Sequence, residues 1–159
     1  MPEAAQTATP APNGAAPGSF VDPYRAYNFK LEILGITEGH FTECCGLEVD
    51  VHAIRYREGG GGPVVHVIPG PVTYGDLTLR YGLTTSAELW TWLMSAVRGT
   101  VERRNVSILM LDASGTNEVM RWNLVNAWPS RWRGAVLDAL NREVAIESLT
   151  LVFETVDRA

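Results

Sequence analysis

Hydrophobic and polar residues alternate along most of this chain, and the alternation predicts strands. Tyr27, Phe29, Leu31 and Ile33 alternate with Asn28, Lys30 and Glu32, giving one buried and one wet face. Gly39 to Cys45 reads as a second short strand, broken at Gly46. From Leu47 to Tyr56 the pattern resumes, with Leu47, Val49, Val51 and Ala53 set against Glu48, Asp50 and His52, and the phase is lost at Ile54 and Arg55. Val64 to Ile68 predicts a short strand closed by Pro69-Gly70-Pro71, and Val72 to Tyr81 another. Asn105 to Leu111 and Val119 to Trp128 are two arms around the turn residues Asp112-Ala113-Ser114-Gly115. Trp128-Pro129 should end the second arm, leaving Ser130 to Arg142 irregular apart from a helical turn at Leu137 to Leu140. The last strand, Glu143 to Thr155, has Val144 and Ile146 in one phase and Leu149, Leu151 and Phe153 in the other. That slip near Glu147-Ser148 requires a bulge or a change of partners.

Only the stretch after Gly82 has helical spacing. Thr85 and Glu88 stand at the capping-box interval, with Ser86 a second N-cap candidate. At the other end Arg98 suits the negative end of the helix dipole, and Gly99 suits the left-handed position after the last turn. Ala87, Leu89, Trp90, Trp92, Leu93, Met94, Ala96 and Val97 leave almost no polar face between those ends. A helix apolar nearly all round is covered on both sides. It is either a buried core helix or one that packs on its own sheet and also meets a neighbouring subunit, and the second reading is preferred here.

Seven or eight strands with short connections and one helix predict a mainly β domain, an antiparallel barrel or sandwich flanked by the helix. Residues 1–19 are Ala, Pro, Gly and Thr with hardly any charge; they predict a disordered leader and lack the basic start and apolar stretch of a signal peptide. The folded domain is assigned to residues 20–159. No apolar run reaches the roughly 18 residues a membrane helix needs. The net charge is −5, with twelve Arg and the single Lys30, which argues against nucleic-acid binding as the main task because no basic face is evident.

Candidate chemistry is sparse. The glycine run Gly59 to Gly62 is followed by Pro63 and a strand, so it lacks both the Lys-Ser/Thr and the helix N-terminus of a phosphate loop. His40, His52 and His66 sit on separate elements without metal-ligand spacing, and Asp76 with Glu88 or Glu147 with Asp157 are pairs that any chain offers. The adjacent Cys44 and Cys45 point to opposite faces of a strand and read as small hydrophobes in a reducing compartment. No catalytic residue, metal site or cofactor is assigned. The five tryptophans carry more information, because Trp concentrates where large surfaces are desolvated between partners. Trp122 is assigned to the core; Trp90, Met94, Trp128 and Trp132 are candidates for a subunit interface.

Five stretches taken in order resemble one family. They are Asp22–Ile33, Phe41–Gly60, His66–Leu93, Arg103–Trp132 and Glu143–Glu154. The spacing PG…YG.L.L..GL…..L..W and the later RWN…AWP..W carry most of the likeness. Together they resemble the tail tube proteins of contractile phages and phage-tail-like contractile injection systems. The resemblance implies a barrel-like domain with one flanking helix, six copies joined edge to edge in a ring, and rings stacked as an inner tube within a sheath. Implied partners are other copies of the chain, sheath, baseplate and tube-terminator proteins, and cargo protein or DNA in the lumen; a target membrane is met only through the assembled particle. Implied too is a structural, non-enzymatic subunit assembled in the bacterial cytoplasm. The family's long hairpin falls on Tyr56 to Pro69. Arg57, Glu58, Gly59, Gly60, Gly61, Gly62, Pro63 and His66 are therefore candidates for contact with the adjacent ring. The chain departs from the family at Cys44-Cys45, where a small residue or Val-Ser is usual, and in its longer leader. Two alternatives stay open: a tube-initiating or baseplate-proximal homologue, and a small-ligand-binding β-barrel, which would be a monomer with an apolar interior pocket.

Overall fold

The structure, a computed structural model, describes residues 26–34, 36, 41–60, 62–83, 85–140 and 142–159. The leader expected at 1–19, the start of the domain, His40 and Gly61 lie outside these residues. Nine strands and one helix are present among them: β1 Phe29–Ile33, β2 Phe41–Cys45, β3 Val49–Tyr56, β4 His66–Tyr74, β5 Leu77–Gly82, α1 Glu88–Val97, β6 Arg104–Leu111, β7 Glu118–Arg133, β8 Ile146–Val152 and β9 Thr155–Arg158. Eight strands are predicted by the alternation; β9 begins only where the last of them, Glu143 to Thr155, was expected to end, and the strand predicted over Val72 to Tyr81 divides at Gly75-Asp76 between β4 and β5.

Seven of the strands form one antiparallel sheet in the order β1-β6-β7-β8-β5-β2, with β9 also on β7. The sheet rolls over a core of Leu31 and Ile33 from β1, Val106 and Ile108 from β6, Leu124 and Ala127 from β7, and Leu77, Leu79, Leu149 and Leu151 from β5 and β8. The 16-residue β7 makes the roll possible. Its first half pairs with β6 on one flank, and its other flank runs beside β9 and then β8. Trp128-Pro129 therefore does not end the strand, as predicted. Pro129 sits beyond the start of β6, where β7 has β8 as its single partner among the described residues, and a bulge lies between Pro129 and Arg131.

The predicted phase slip is not a slip in the structure. No irregularity occurs at Glu147-Ser148, where β8 runs in continuous register against β5 from Leu77↔Leu151 to Gly82↔Ile146. Ile146 and Leu149, three residues apart on one unbroken strand, simply point to opposite sides of the sheet; further on, the chain steps from β8 to β9 at Phe153–Glu154. Asn126 marks the matching point on β7: its φ is +55°, and its side-chain amide donates to Glu154 Oε2 at 2.6 Å.

Strands β3 and β4 pair only with each other and form a separate arm. Pro69-Gly70-Pro71 was expected to close a short strand, but β4 continues through it to Tyr74. With a single partner strand, the prolines need no ladder bond on their open side. The arm leaves the body at two tightly packed glycines. Gly46 (φ +90°) faces the Asp76 carbonyl so closely that any Cβ would collide with it, and a Cβ on Gly75 would come within 2.9 Å of the Gly46 carbonyl oxygen.

Helix α1 starts at Glu88, two residues later than a Thr85 capping box would give. Its N-cap position is Ala87, which has no side-chain cap, although the Glu88 amide donates to Ser86 Oγ at 3.4 Å. The C-terminus closes as predicted: Gly99 (φ +82°) and Thr100 donate to the carbonyls of Ala96 and Ser95 at 3.1 and 3.0 Å, a Schellman pair. Leu89, Trp92 and Leu93 enter the core. Trp92 donates its indole N–H to the Glu102 carbonyl at 2.7 Å, under the Arg104 guanidinium.

Candidate assembly surfaces

The second side of the helix is open. Trp90 is 46% and Val97 67% exposed, so the chain covers only the Leu89–Trp92–Leu93 side. That removes the fully buried reading and leaves an apolar stripe facing outward. Trp90 meets Trp132 of β7 edge to face, with ring centroids 5.0 Å apart. The pair stands at the surface where the last residues of β7 pass the helix, and Leu83, Val136, Leu137 and Leu140 are exposed as well. Met94 is half-buried against the core rather than on the open stripe, and Trp128 is half-buried at the register partner of Val152. Trp122, assigned to the core, is half-buried and packs against it. Val136, Leu137 and Leu140 escaped the sequence reading because their segment lacks any period; three large apolar residues in an irregular run were the available signal.

The Tyr81 hydroxyl lies near Trp132 and Glu147. Burial, the Glu147 charge and the bond to it push the Tyr81 hydroxyl up to about 12, with the Trp132 bond opposing. Cys44 is half-buried and Cys45 exposed, neither in a disulfide. Burial, with a smaller contribution from Cys45, pushes the Cys44 thiol up to about 12, which keeps it an unreactive hydrophobe.

All eight residues of β3 are exposed, as are most of β4. Val49, Val51, Ile54, Tyr56, Val64, Val65, Val67, Ile68 and Val72 all carry open apolar surface on this arm or its tip. A lone two-stranded hairpin is marginal in water, and this one presents apolar side chains on both faces. Arg57, Glu58, Gly59, Gly60, Gly62 and Pro63 form the exposed tip. His66 stacks on Tyr56 at its base, with centroids 5.4 Å apart. His52 lies on the same arm.

Between β1 and β2 the rolled sheet stays open. Phe29, Cys44, Leu47, Ile108, Met110 and Trp122 line a largely apolar groove of about 350 Å³ along this seam. Among the described residues no cluster of His, Cys, Asp and Glu is arranged to hold a metal ion, and no helix is long and apolar enough to cross a membrane.

A rolled antiparallel sheet with one flanking helix, a projecting arm and open strand edges is the construction of a tail-tube subunit. The chain belongs to the T4-like virus tail tube protein gp19 family, whose sequence model matches residues 25–157. It is a structural tube protein and part of a phage tail or injection particle. Among solved structures it is similar to a chain of the sheath-tube complex of an extracellular contractile injection system, PVC, in the extended state (28% identity over 86% of this chain and 91% of that one, TM-score 0.77). A chain of the PVC sheath/tube terminator gives 27% identity over 89% and 99%, TM-score 0.80, and one from the tube-terminating cap of the anti-feeding prophage 26% over 89% and 93%, TM-score 0.79. Hcp1 from Flavobacterium johnsoniae, at 14% identity and TM-score 0.51, shares the fold. A search among curated proteins by sequence finds no significant match.

Proposed function

We propose that this protein is the inner-tube subunit of a contractile particle, in which six copies close a ring and rings stack into a tube. Sheath surrounds that tube, and baseplate and terminator proteins bound its ends. Protein or DNA cargo passes along the lumen, and the subunit itself performs no catalysis. Assembly takes place in the bacterial cytoplasm, and any target membrane is met by the finished particle alone.

The observation that carries this reading is the arm. An element with all of β3 exposed and apolar on both faces is unsuited to a free monomer and suited to insertion between copies of the chain. Its tip residues Arg57 to Pro63, with His66, are assigned to the contact between successive rings. Trp90 and Trp132, with Trp128 and Met94 behind them, are assigned to contacts within a ring. Residues 1–19 are assigned to a leader outside the domain that spans 20–159.

Electron microscopy of negatively stained protein, with solution mass measured across a concentration series, tests the proposal. Rings or stacked tubes support it. A compact monomer at every concentration, with or without baseplate components added, overturns it.

A further inference from the structure

One face of the rolled sheet carries an excess of positive charge, although the chain as a whole has a net charge of −5. Leu77, Leu79, Leu149 and Leu151 turn one side of β5 and β8 into the core, so the residues between them lie on the other side. Register lays that polar side out in rows across four strands. Arg131 stands in a row with Thr150, Thr78 and Cys45, and Arg133 in a row with Ser148, Arg80 and Glu43. Three arginines thus face one glutamate across a floor of small hydroxyls, in which the Thr78 and Thr150 hydroxyls meet at 3.4 Å.

Two of the three arginines are uncommitted. Arg80 pairs with Glu43 at 3.1 Å. Arg131 and Arg133 are exposed and have no ion pair among the described residues. The other half of the rolled sheet differs, because Lys30, Glu32, Glu118 and Arg121 on β1 and β7 are paired among themselves. The unmatched positive charge on the sheet therefore belongs to this face.

Spacing and surroundings select the kind of partner. Arg131 and Arg133 stand about 7 Å apart along one strand, and Arg80 lies two strands from Arg133, about 10 Å away. Carboxylates at alternate positions of an extended acidic segment match the first interval, and each can accept a guanidinium through two parallel hydrogen bonds. Nucleic acid fits less well. The only aromatic on this face is Trp128, half-buried at its end beside Val152, where base stacking would need several. The rest of the chain is acidic and repels a uniformly charged polyanion.

Resting on the tube reading above, we propose that the polar face of β7, β8, β5 and β2 is the surface that meets cargo, and that it takes acidic polypeptide. Arg131 and Arg133 hold carboxylates of the passing segment, and Thr78, Ser148 and Thr150 supply hydroxyls that exchange partners readily. Exposed ion pairs are individually weak and screened by salt, so a segment held by several can still slide. Copies of the chain in one particle repeat the contact and raise its combined strength.

Fluorescence anisotropy tests this, with labelled polyglutamate and labelled oligothymidylate each titrated with the assembled full chain. The parent should bind polyglutamate more tightly than oligothymidylate and release it as salt rises. Arg131→Gln with Arg133→Gln should weaken polyglutamate binding about tenfold. Arg98→Glu changes the net charge equally at the end of α1 and should leave binding within about twofold. Thr150→Glu lies mid-face on β8, away from both outer strands, and should weaken binding to a similar degree as the double variant; it decides the test if the double variant does not assemble. Equal losses from Arg98→Glu and from the face variants, or tighter binding of oligothymidylate, overturn the assignment of acidic polypeptide to this face. Rings in micrographs that do not bind polyglutamate overturn it as well and leave the tube reading standing. Parent protein that forms no rings overturns the tube reading itself.

Discussion

Single residues in this chain carry constraints of two kinds, backbone and electrostatic. Gly46 needs φ near +90° and has the Asp76 carbonyl where a Cβ would stand, so Gly46→Ala should lower stability by about 2 kcal/mol or more. Gly115 has a similar φ of +73° but open space around it, and Gly115→Ala should cost only about 1 kcal/mol. Chemical denaturation of both variants checks the contrast; equal losses would refute the collision at the arm root. Tyr81 and Cys44 set the alkaline limit. Each binds its proton more tightly in the folded chain, to about 12, than in the unfolded chain, where Tyr titrates near 10 and Cys near 9. In that window the native state retains protons that the unfolded state has released, so stability falls as pH rises from about 9 towards 12. Tyr81→Phe should make the fall shallower above about pH 10, followed by thermal unfolding along a pH series; an unchanged slope would contradict the role of Tyr81.

Elements were readable from the chain wherever local chemistry decides them. The helix C-terminus at Gly99 follows from one residue's backbone freedom, and Gly99→Ala should cost about 1 kcal/mol with the fold retained, measured by thermal unfolding. Alternation pointed to the strands of the rolled sheet up to β8, because one buried face imposes period two on the sequence, but it missed β9. What alternation could not show is which flank of a strand has a partner, and the two boundaries misplaced at prolines come from that. Pro69, Pro71 and Pro129 are stop signals only if a neighbour needs their N–H, and each lies in a strand segment with a single partner among the described residues. The change of face in the last strand needs neither a bulge nor a new partner, since Ile146 lies on the opposite face of one continuous β8 from Leu149 and Leu151. The helix start was lost for a different reason, since Thr85 and Glu88 have the capping interval but the turn begins at Ala87. The surfaces were half-legible. Trp90 and Trp132 stood out as surplus aromatics, whereas Arg131 and Arg133 look like ordinary surface charges until register sets them across the sheet from Glu43.

At the scale of the molecule, the arm and the sheet edges make different demands, and they should be separable by mutation. The arm is a distinct two-stranded unit that shares no ladder with the rolled sheet, so changing it leaves the core of Leu77, Leu124, Leu149 and Leu151 untouched. Val67 and Ile68 are 57% and 44% exposed on it, and Val67→Asp with Ile68→Asp removes apolar surface that the chain leaves open. Substitutions at such exposed sites change folding stability by only about 0.5 kcal/mol, so the monomer should fold and unfold much as the parent does. A buried interface, by contrast, tolerates neither a new unpaired carboxylate nor the loss of its apolar contact. If the arm joins rings and the edges close them, this double variant should give single rings that no longer lengthen into tubes, seen by microscopy and by a mass that plateaus at the ring. Tubes of normal length would move the inter-ring contact off the arm. Monomers would show instead that the arm helps to close the ring itself, and that the two surfaces act as one.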